Sequence, residues 1–254
     1  PIYRVLLARN GKEGLEKARE ERPDIIVSDV MMPEMNGYEL CTAIKSDINL
    51  CHIPIIFLTA KNDIDSKVKG LKVGAEAYIE KPFSYDYLKA QILSLLNNRQ
   101  KEREAFSKRP FFPVQNMQMS KEDEVFMNKV IEVINANMED ETFNVERMAE
   151  ALCLSRSSLL RKIKTLFNMS PIDFIRLIRL KKAAELIQDG KYRVGEISYM
   201  VGFGSHSYFS KLFFKQFGMT PKDFEQQIAS TRSKVRNAQE INIEDLIQNN
   251  RANS

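Results

Sequence analysis

Two stretches of this chain, fifty residues apart, repeat one pattern. In the first, Val145–Leu152 has the apolar spacing of a short amphipathic helix, Cys153-Leu154 makes a turn, and Ser155 stands at the cap of a second helix, Arg156–Lys164. In the second, Val194–Val201 plays the first part, Gly202-Phe203-Gly204 the turn, and Ser205 caps His206–Lys215. Both close alike, on Phe167-Asn168-Met169-Ser170-Pro171 and Phe217-Gly218-Met219-Thr220-Pro221. A duplicated helix-turn-helix makes this half all-α. Between the copies, Pro171 to about Gln188 reads as one helix, with Pro in its first turn and Asp189-Gly190 after it. Eighteen residues span about 27 Å, near the ~34 Å of one DNA turn, so the two second helices are spaced for successive major grooves of double-stranded DNA. The major groove of RNA is too narrow to admit a helix.

Charge is distributed to match. The net charge is +4, but residues 121–141 hold 2 Lys/Arg against 7 Asp/Glu, and residues 142–222 hold 14 against 6. A basic block is the footprint of nucleic-acid binding, and also of an ordinary solvated helix surface. No run approaches the ~18 apolar residues of a membrane span. Three cysteines (Cys41, Cys51, Cys153) without close spacing read as reduced thiols of a cytoplasmic protein. With two histidines, His52 and His206, a zinc site is not expected, and no Ser/His/Asp or Cys/His arrangement suggests catalysis.

The first 97 residues follow another rule. Short apolar runs at Tyr3–Ala8, Ile25–Ser28, Pro54–Ala60 and Ala77–Ile79 alternate with helical segments near 11–21, 37–46, 64–73 and 84–97. That alternation predicts a parallel, right-handed α/β sheet. Asp29, Thr59 and Lys81 then stand at the carboxyl ends of three successive strands, where open α/β sheets place ligands. Adjacent strands lie about 5 Å apart, so the three side chains can converge. Asp29 alone reads as a cap or a site. A carboxylate, a hydroxyl and an ammonium together suit a phosphoryl group, with the carboxylate as nucleophile and the other two binding phosphoryl oxygens.

Asp29 with Met32-Pro33 and Met35-Asn36-Gly37, Thr59-Ala60, Gly74-Ala75, Tyr78 and Lys81-Pro82-Phe83 resemble the receiver domain of bacterial response regulators. The resemblance implies a flavodoxin-like fold and phosphorylation of Asp29 by a histidine kinase. It makes Thr59 and Lys81 sensors of the phosphoryl group and Tyr78 the aromatic switch. It also implies a cis Lys81–Pro82 bond, and Mg²⁺ held by Asp29 and the Met31 backbone carbonyl. The family's first strand, which ends in a metal-holding acidic pair, has no counterpart before Tyr3; the Tyr3 strand matches the family's second. The chain is therefore expected to be a fragment with an incomplete metal site.

Gly195 to Phe224, with Val201-Gly202-Phe203, Ser207-Tyr208-Phe209, Phe213, Phe217-Gly218 and Thr220-Pro221, is similar to the AraC-type DNA-binding domain. That resemblance implies base readers at Arg156, Ser157, Leu160 and Arg161 in the first copy, and at His206, Ser207 and Lys211 in the second. Lys164 and Lys215 fit phosphate contacts, which position without specifying sequence. Leu159, Ile163, Leu166, Phe209, Phe213 and Phe217 are expected in the core.

The expected architecture is multidomain: a receiver over 1–97, a linker over 98–119, an AraC-type domain over 120–228 and a polar tail over 229–254. Within the third part, the first helix-turn-helix spans 145–167, the linker helix 171–188 and the second 194–217. In the tail, Ile241–Ile247 is the one candidate for a brief helix. In the connector, Pro110-Phe111-Phe112-Pro113 either packs on a domain or simply anchors the chain. Together these imply a transcription factor whose DNA binding, as a homodimer, is controlled at Asp29. The join of the two domains is similar to the cytoplasmic end of membrane-anchored hybrid two-component proteins, in which kinase and regulator share one chain. The alternative is a degenerate receiver that acts as an interaction module on a constitutive DNA-binding domain.

Overall fold

A computed structural model of the chain describes residues 3–47, 49–60 and 73–232. The chain divides into two compact units. One takes Pro1–Phe106, Phe112–Val133 and Val145–Pro171, and the other Ser107–Phe111, Ile134–Asn144 and Ile172–Ser254. The first therefore combines the α/β part with the first helix-turn-helix.

In the first unit, helix α1 (Gly11–Glu21) precedes strand β1 (Ile26–Asp29), helix α2 (Gly37–Ser46), strands β2 (Ile55–Thr59) and β3 (Ala77–Glu80), and helix α3 (Tyr85–Lys108). The strands form a parallel sheet in the order β1-β2-β3, with Asp29 opposite Leu58 and Thr59 opposite Glu80. The helix starts follow from local side chains. Asn10 accepts the Glu13 N–H at 2.9 Å, and Asn36 with Glu39 forms a capping box on α2. Burying Leu40, Cys41 and Ile44 of α2 against Ile53, Ile55 and Phe57 gives the sheet its core.

The expected strand at Tyr3–Ala8 is not formed. Among the described residues β1 is the last strand on its side of the sheet, and residues 3–8 pair with none. Val5 and Leu7 are exposed. A β-conformation run is stable only where its backbone groups find a ladder, and residues 3–8 do not pair with β1's open edge. The helix expected at 64–73 lies outside the described residues apart from Val73. The helix expected at 84–97 runs on through its polar continuation to Lys108, where Pro110 prevents further extension.

The rest of the first unit is helical: a 3₁₀ turn at Val114–Asn116, most of α4 (Lys121–Ala136), α5 (Val145–Ala151) and α6 (Arg156–Phe167). Phe126, Val130 and Ile134 are buried along α4 with Ile131 half-buried beside them, and Leu159, Ile163 and Leu166 form the expected buried stripe of α6. The turn between α5 and α6 places Cys153 at φ 54, and Asn168 ends α6 at φ 56, both left-handed.

The second unit holds most of α7 (Pro171–Asp189), then α8 (Val194–Met200), α9 (His206–Phe217) and a further helix, α10, over residues 221–232. Its turn repeats the first copy's geometry with glycine: Gly202 at φ 73 and Gly218 at φ 79. Phe209 and Phe213 are buried, Phe217 is half-buried, and Phe213 stacks edge-on to Phe217 at 4.9 Å. The polar segment expected from 229 continues α10 as far as 232; residues 233–254, including Ile241–Ile247, lie outside the described residues. Phe111 decides between the two readings of the connector. Its ring packs on Phe224 at 5.9 Å, and buried Lys181 donates to the Arg109 carbonyl at 2.7 Å.

Candidate phosphoacceptor site and nucleic-acid interface

The sheet delivers Asp29, Thr59 and Lys81 to one edge, since β1 ends on Asp29, β2 on Thr59, and Lys81 directly follows β3. Lys81 Nζ donates to Asp29 Oδ2, and the two side chains are about two-fifths exposed, open to an incoming group. The Lys81 N–H donates to the Thr59 carbonyl at 2.8 Å, which ties the ends of β2 and β3 together. The Lys81–Pro82 peptide is cis. Thr59 is 2% exposed and its hydroxyl has no hydrogen-bond partner among the described residues. A buried, unsatisfied donor is costly unless some acceptor visits it.

The loop after Asp29 is held tightly. The Gly37 N–H donates to the Val30 carbonyl at 2.9 Å, and a Cβ on Gly37 would lie 2.3 Å from the Asp29 carbonyl oxygen, so only glycine fits. Glu34, at φ 64, accepts from Asn10 at 2.8 Å. Tyr78 packs its ring against Phe57 at 5.8 Å, with a hydroxyl that is buried and unpartnered; burial pushes the phenol well above its ordinary pKa.

The residues do not fit a bound Mg²⁺. Asp29 Oδ2 is taken up by Lys81, and among the described residues no group of three or more His, Cys, Asp or Glu side chains can hold a metal ion. Six oxygen donors are needed, of which protein carboxylates normally supply at least one or two.

On α6, Arg156, Ser157, Leu160, Arg161 and Lys164 are all exposed. Their spacing sets them on one face, opposite buried Leu159 and Ile163. Ser155 accepts the Ser158 N–H at 3.1 Å, starting the helix beside these residues. Arg156 pairs with Glu146 of α5 at 3.1 Å, and Arg161 donates to Ser158 at 3.3 Å. In the other unit, His206, Ser207, Lys211 and Lys215 are exposed on α9. Their mostly four-residue steps give that helix a stripe that also carries two cations.

Sequence patterns revealed the apolar inward face of α6 but not the polar contacts made there. Lys162, 6% exposed, pairs with fully buried Asp123 of α4 and lies 3.1 Å from Cys51 Sγ. Arg103 of α3 donates to the carbonyls of Thr165 and Leu166 at 2.8 and 2.9 Å, and Phe106 stacks on Phe167 at 4.9 Å. The one available clue was composition: a helix with four cations has more charge than one outward face uses.

Comparison with known proteins finds two families along the chain. Residues 1–93 match the family model of the response regulator receiver domain, and residues 148–227 that of a helix-turn-helix domain. The chain thus joins a response-regulator receiver domain to an AraC-type helix-turn-helix domain. It is 40% identical over 225 residues to histidine kinase P4 of Formosa agariphila, a match covering 89% of this chain and 16% of that protein. A second relative is the solved C-terminal domain of AraT, a response regulator from Geobacillus stearothermophilus. It is 29% identical with a TM-score of 0.37, covering 40% of this chain and 84% of that one. A third is the receiver domain of a Pseudomonas aeruginosa PAO1 sensor histidine kinase, solved with magnesium in its active-site cleft. It is 29% identical with a TM-score of 0.36, covering 37% of this chain and 78% of that one. No described helix is long and apolar enough to cross a membrane.

Proposed function

We propose that this chain is the output end of a two-component system, in which aspartyl phosphorylation at Asp29 controls sequence-specific binding of double-stranded DNA. The observation that carries the first half is the Asp29–Lys81 contact beside the unsatisfied Thr59 hydroxyl. In the transfer, an Asp29 carboxylate oxygen forms a bond to phosphorus while the phosphorus–nitrogen bond of a kinase phosphohistidine breaks. Lys81 then exchanges its carboxylate partner for phosphoryl oxygens, and Thr59 gains the acceptor it lacks. Tyr78, packed on Phe57 with its hydroxyl buried, is the aromatic that changes rotamer once Thr59 is drawn toward the phosphoryl group.

The second half is supported by two exposed basic faces on equivalent helices. Arg156, Ser157, Leu160 and Arg161 on α6, and His206, Ser207 and Lys211 on α9, are the base readers; Lys164 and Lys215 hold phosphates. Leu160 offers only an apolar contact, such as one to a thymine methyl. The chain acts in the cytoplasm as a homodimer on DNA, takes its phosphoryl group from a histidine kinase that is separate or part of the same full-length chain, and itself catalyses no turnover.

The test uses a version of the chain carrying an added N-terminal strand and helix that supply two further carboxylates. Incubation with acetyl phosphate and Mg²⁺ is expected to add one phosphoryl mass and to tighten binding to a selected duplex. Asp29→Asn should abolish both effects. Phosphorylation that persists after the Asp29→Asn substitution, or DNA affinity indifferent to phosphorylation, removes the proposal and favours a receiver that serves only as an interaction module.

A further inference from the structure

The first reading helix is held from behind by the receiver's own last helix. Arg103 lies on α3 and spends two guanidinium N–H groups on the carbonyls of Thr165 and Leu166, in the last turn of α6. Those carbonyls belong to the turn of an α-helix that lacks internal donors, and a cation there also opposes the negative end of the helix dipole. Arg103 is partly buried, and burial lowers its pKa. One turn further along, fully buried Phe106 stacks on Phe167, the final residue of α6. On its inward side, α6 is fixed by the Lys162–Asp123 pair.

The same helix begins at Tyr85, four residues beyond Lys81, the residue that touches Asp29. From Tyr85 to Arg103 an α-helix rises about 27 Å without a break. A rigid element that starts at one site and ends in hydrogen bonds at another is a physical route for coupling, provided both ends have alternative arrangements. Lys81 has one, since its present partner is the carboxylate that would receive the phosphoryl group.

We infer that Arg103 is a positioning residue for DNA reading: it sets the pitch and order of α6's last turn. The inference rests on the function proposed above. It assigns to Arg103 no contact with DNA, because its guanidinium is committed to the back of the helix whose opposite face carries Arg156, Leu160 and Arg161. Its effect should therefore fall on discrimination between sequences, which requires exact placement of base-reading side chains, and spare the general attraction to phosphate.

The experiment compares the 254-residue chain with Arg103→Ala and Arg103→Lys. Two duplexes are used: one enriched by the wild-type chain from a randomised pool, and a scrambled duplex of equal composition. Removing a charged hydrogen-bonding group of this kind is expected to weaken binding to the enriched duplex about ten-fold. Affinity for the scrambled duplex should change less than two-fold, and Arg103→Lys should recover most of the loss. Amide hydrogen exchange supplies the second readout: residues 164–168 should exchange faster in the Ala variant, and residues 214–218 of α9 should not. Equal loss on both duplexes, or wild-type affinity on both, overturns the inference. If the wild-type chain enriches no sequence at all, the DNA-reading proposal fails instead. The exchange measurement still judges Arg103 in that case, and unchanged exchange at 164–168 removes it. Should the Ala variant fold poorly, the Lys variant with full exchange protection and full discrimination would support the positioning role, and lost discrimination at full protection would refute it.

Discussion

Lys162 on α6 and Asp123 on α4 form an ion pair that water scarcely reaches, with Asp123 fully buried and Lys162 6% exposed. The carboxylate's other neighbour is the Cys51 thiol at 3.4 Å, a weak donor. Replacing Lys162 by Met preserves most of the aliphatic volume and leaves the carboxylate in a dry site without its hydrogen-bonded cation. Breaking a buried pair from one side costs about 3–5 kcal/mol, because the remaining charge is uncompensated. Replacing both residues, Asp123→Leu with Lys162→Met, removes the charges together and should cost less than about 1 kcal/mol. With each single variant breaking the pair from one side, the coupling free energy of the cycle is then on the order of 5–10 kcal/mol in magnitude. In a chain of this size each kcal/mol shifts a melting midpoint by about 2–4 °C, so Lys162→Met should lower the first unit's transition by roughly 10 °C. Thermal unfolding followed by calorimetry, which separates the transitions of a chain with two compact units, gives all four corners. A single variant costing under about 1 kcal/mol, or a double variant costing the sum of its singles, would mean that the pair is effectively solvated and that α6 is held by apolar packing alone.

Three further outcomes follow from individual residues. Gly202→Ala places a Cβ 2.4 Å from the Met138 carbonyl oxygen at φ 73, so it should destabilise the second unit by at least about 2 kcal/mol in urea unfolding, whereas Asn168→Gly should be near neutral. His52 has its pKa lowered by burial from 6.5 to about 4. The unfolded chain binds the proton more readily, so the stability that His52 contributes is full above about pH 6.5 and is lost as pH falls toward 4; His52→Gln should flatten that window in pH-dependent denaturation. Arg161→Ala should cost about 1–3 kcal/mol on the enriched duplex and relax preference at one base pair in a mutated-site binding series, while a uniform loss on all duplexes would make Arg161 a phosphate contact.

The parts of this chain that were legible in its sequence are those with a local signature. Asp29, Thr59 and Lys81 could be placed because each ends a short apolar run, and parallel topology brings such ends together. The two helix-turn-helix copies could be placed because their turn residues repeat, and Cys153 and Gly202 do adopt the same left-handed turn. What escaped depends on partners distant in sequence. Residues 3–8 have strand-like composition, but composition supplies no ladder, and only the three-stranded sheet shows that β1's outer edge leaves them unpaired. Lys162, Arg179 and Lys181 look like surface cations in a basic block, and all three are buried. Arg179 donates to the Asp140 carbonyl at 2.6 Å and Lys181 to that of Arg109 at 2.7 Å, partners 39 and 72 residues away.

That misreading bears on function. The charge excess of residues 142–222 overstates what DNA can meet, because buried cations serve the fold by satisfying backbone carbonyls and one buried carboxylate. Once they are set aside, the cations left on the reading helices are Arg156, Arg161 and Lys164 on α6 and Lys211 and Lys215 on α9. Each phosphate neutralised on B-DNA contributes about −0.9 to the slope of log affinity against log salt. If only Lys164 and Lys215 hold phosphates, one chain's reading helices give a slope of about −2; if all five cations do, it is nearer about −4.5. A slope near the larger value would show the arginines spent on phosphates, with little left for reading bases. The smaller one leaves Arg156, Arg161 and Lys211 to the base edges, where a positioning hold on the helix would matter most.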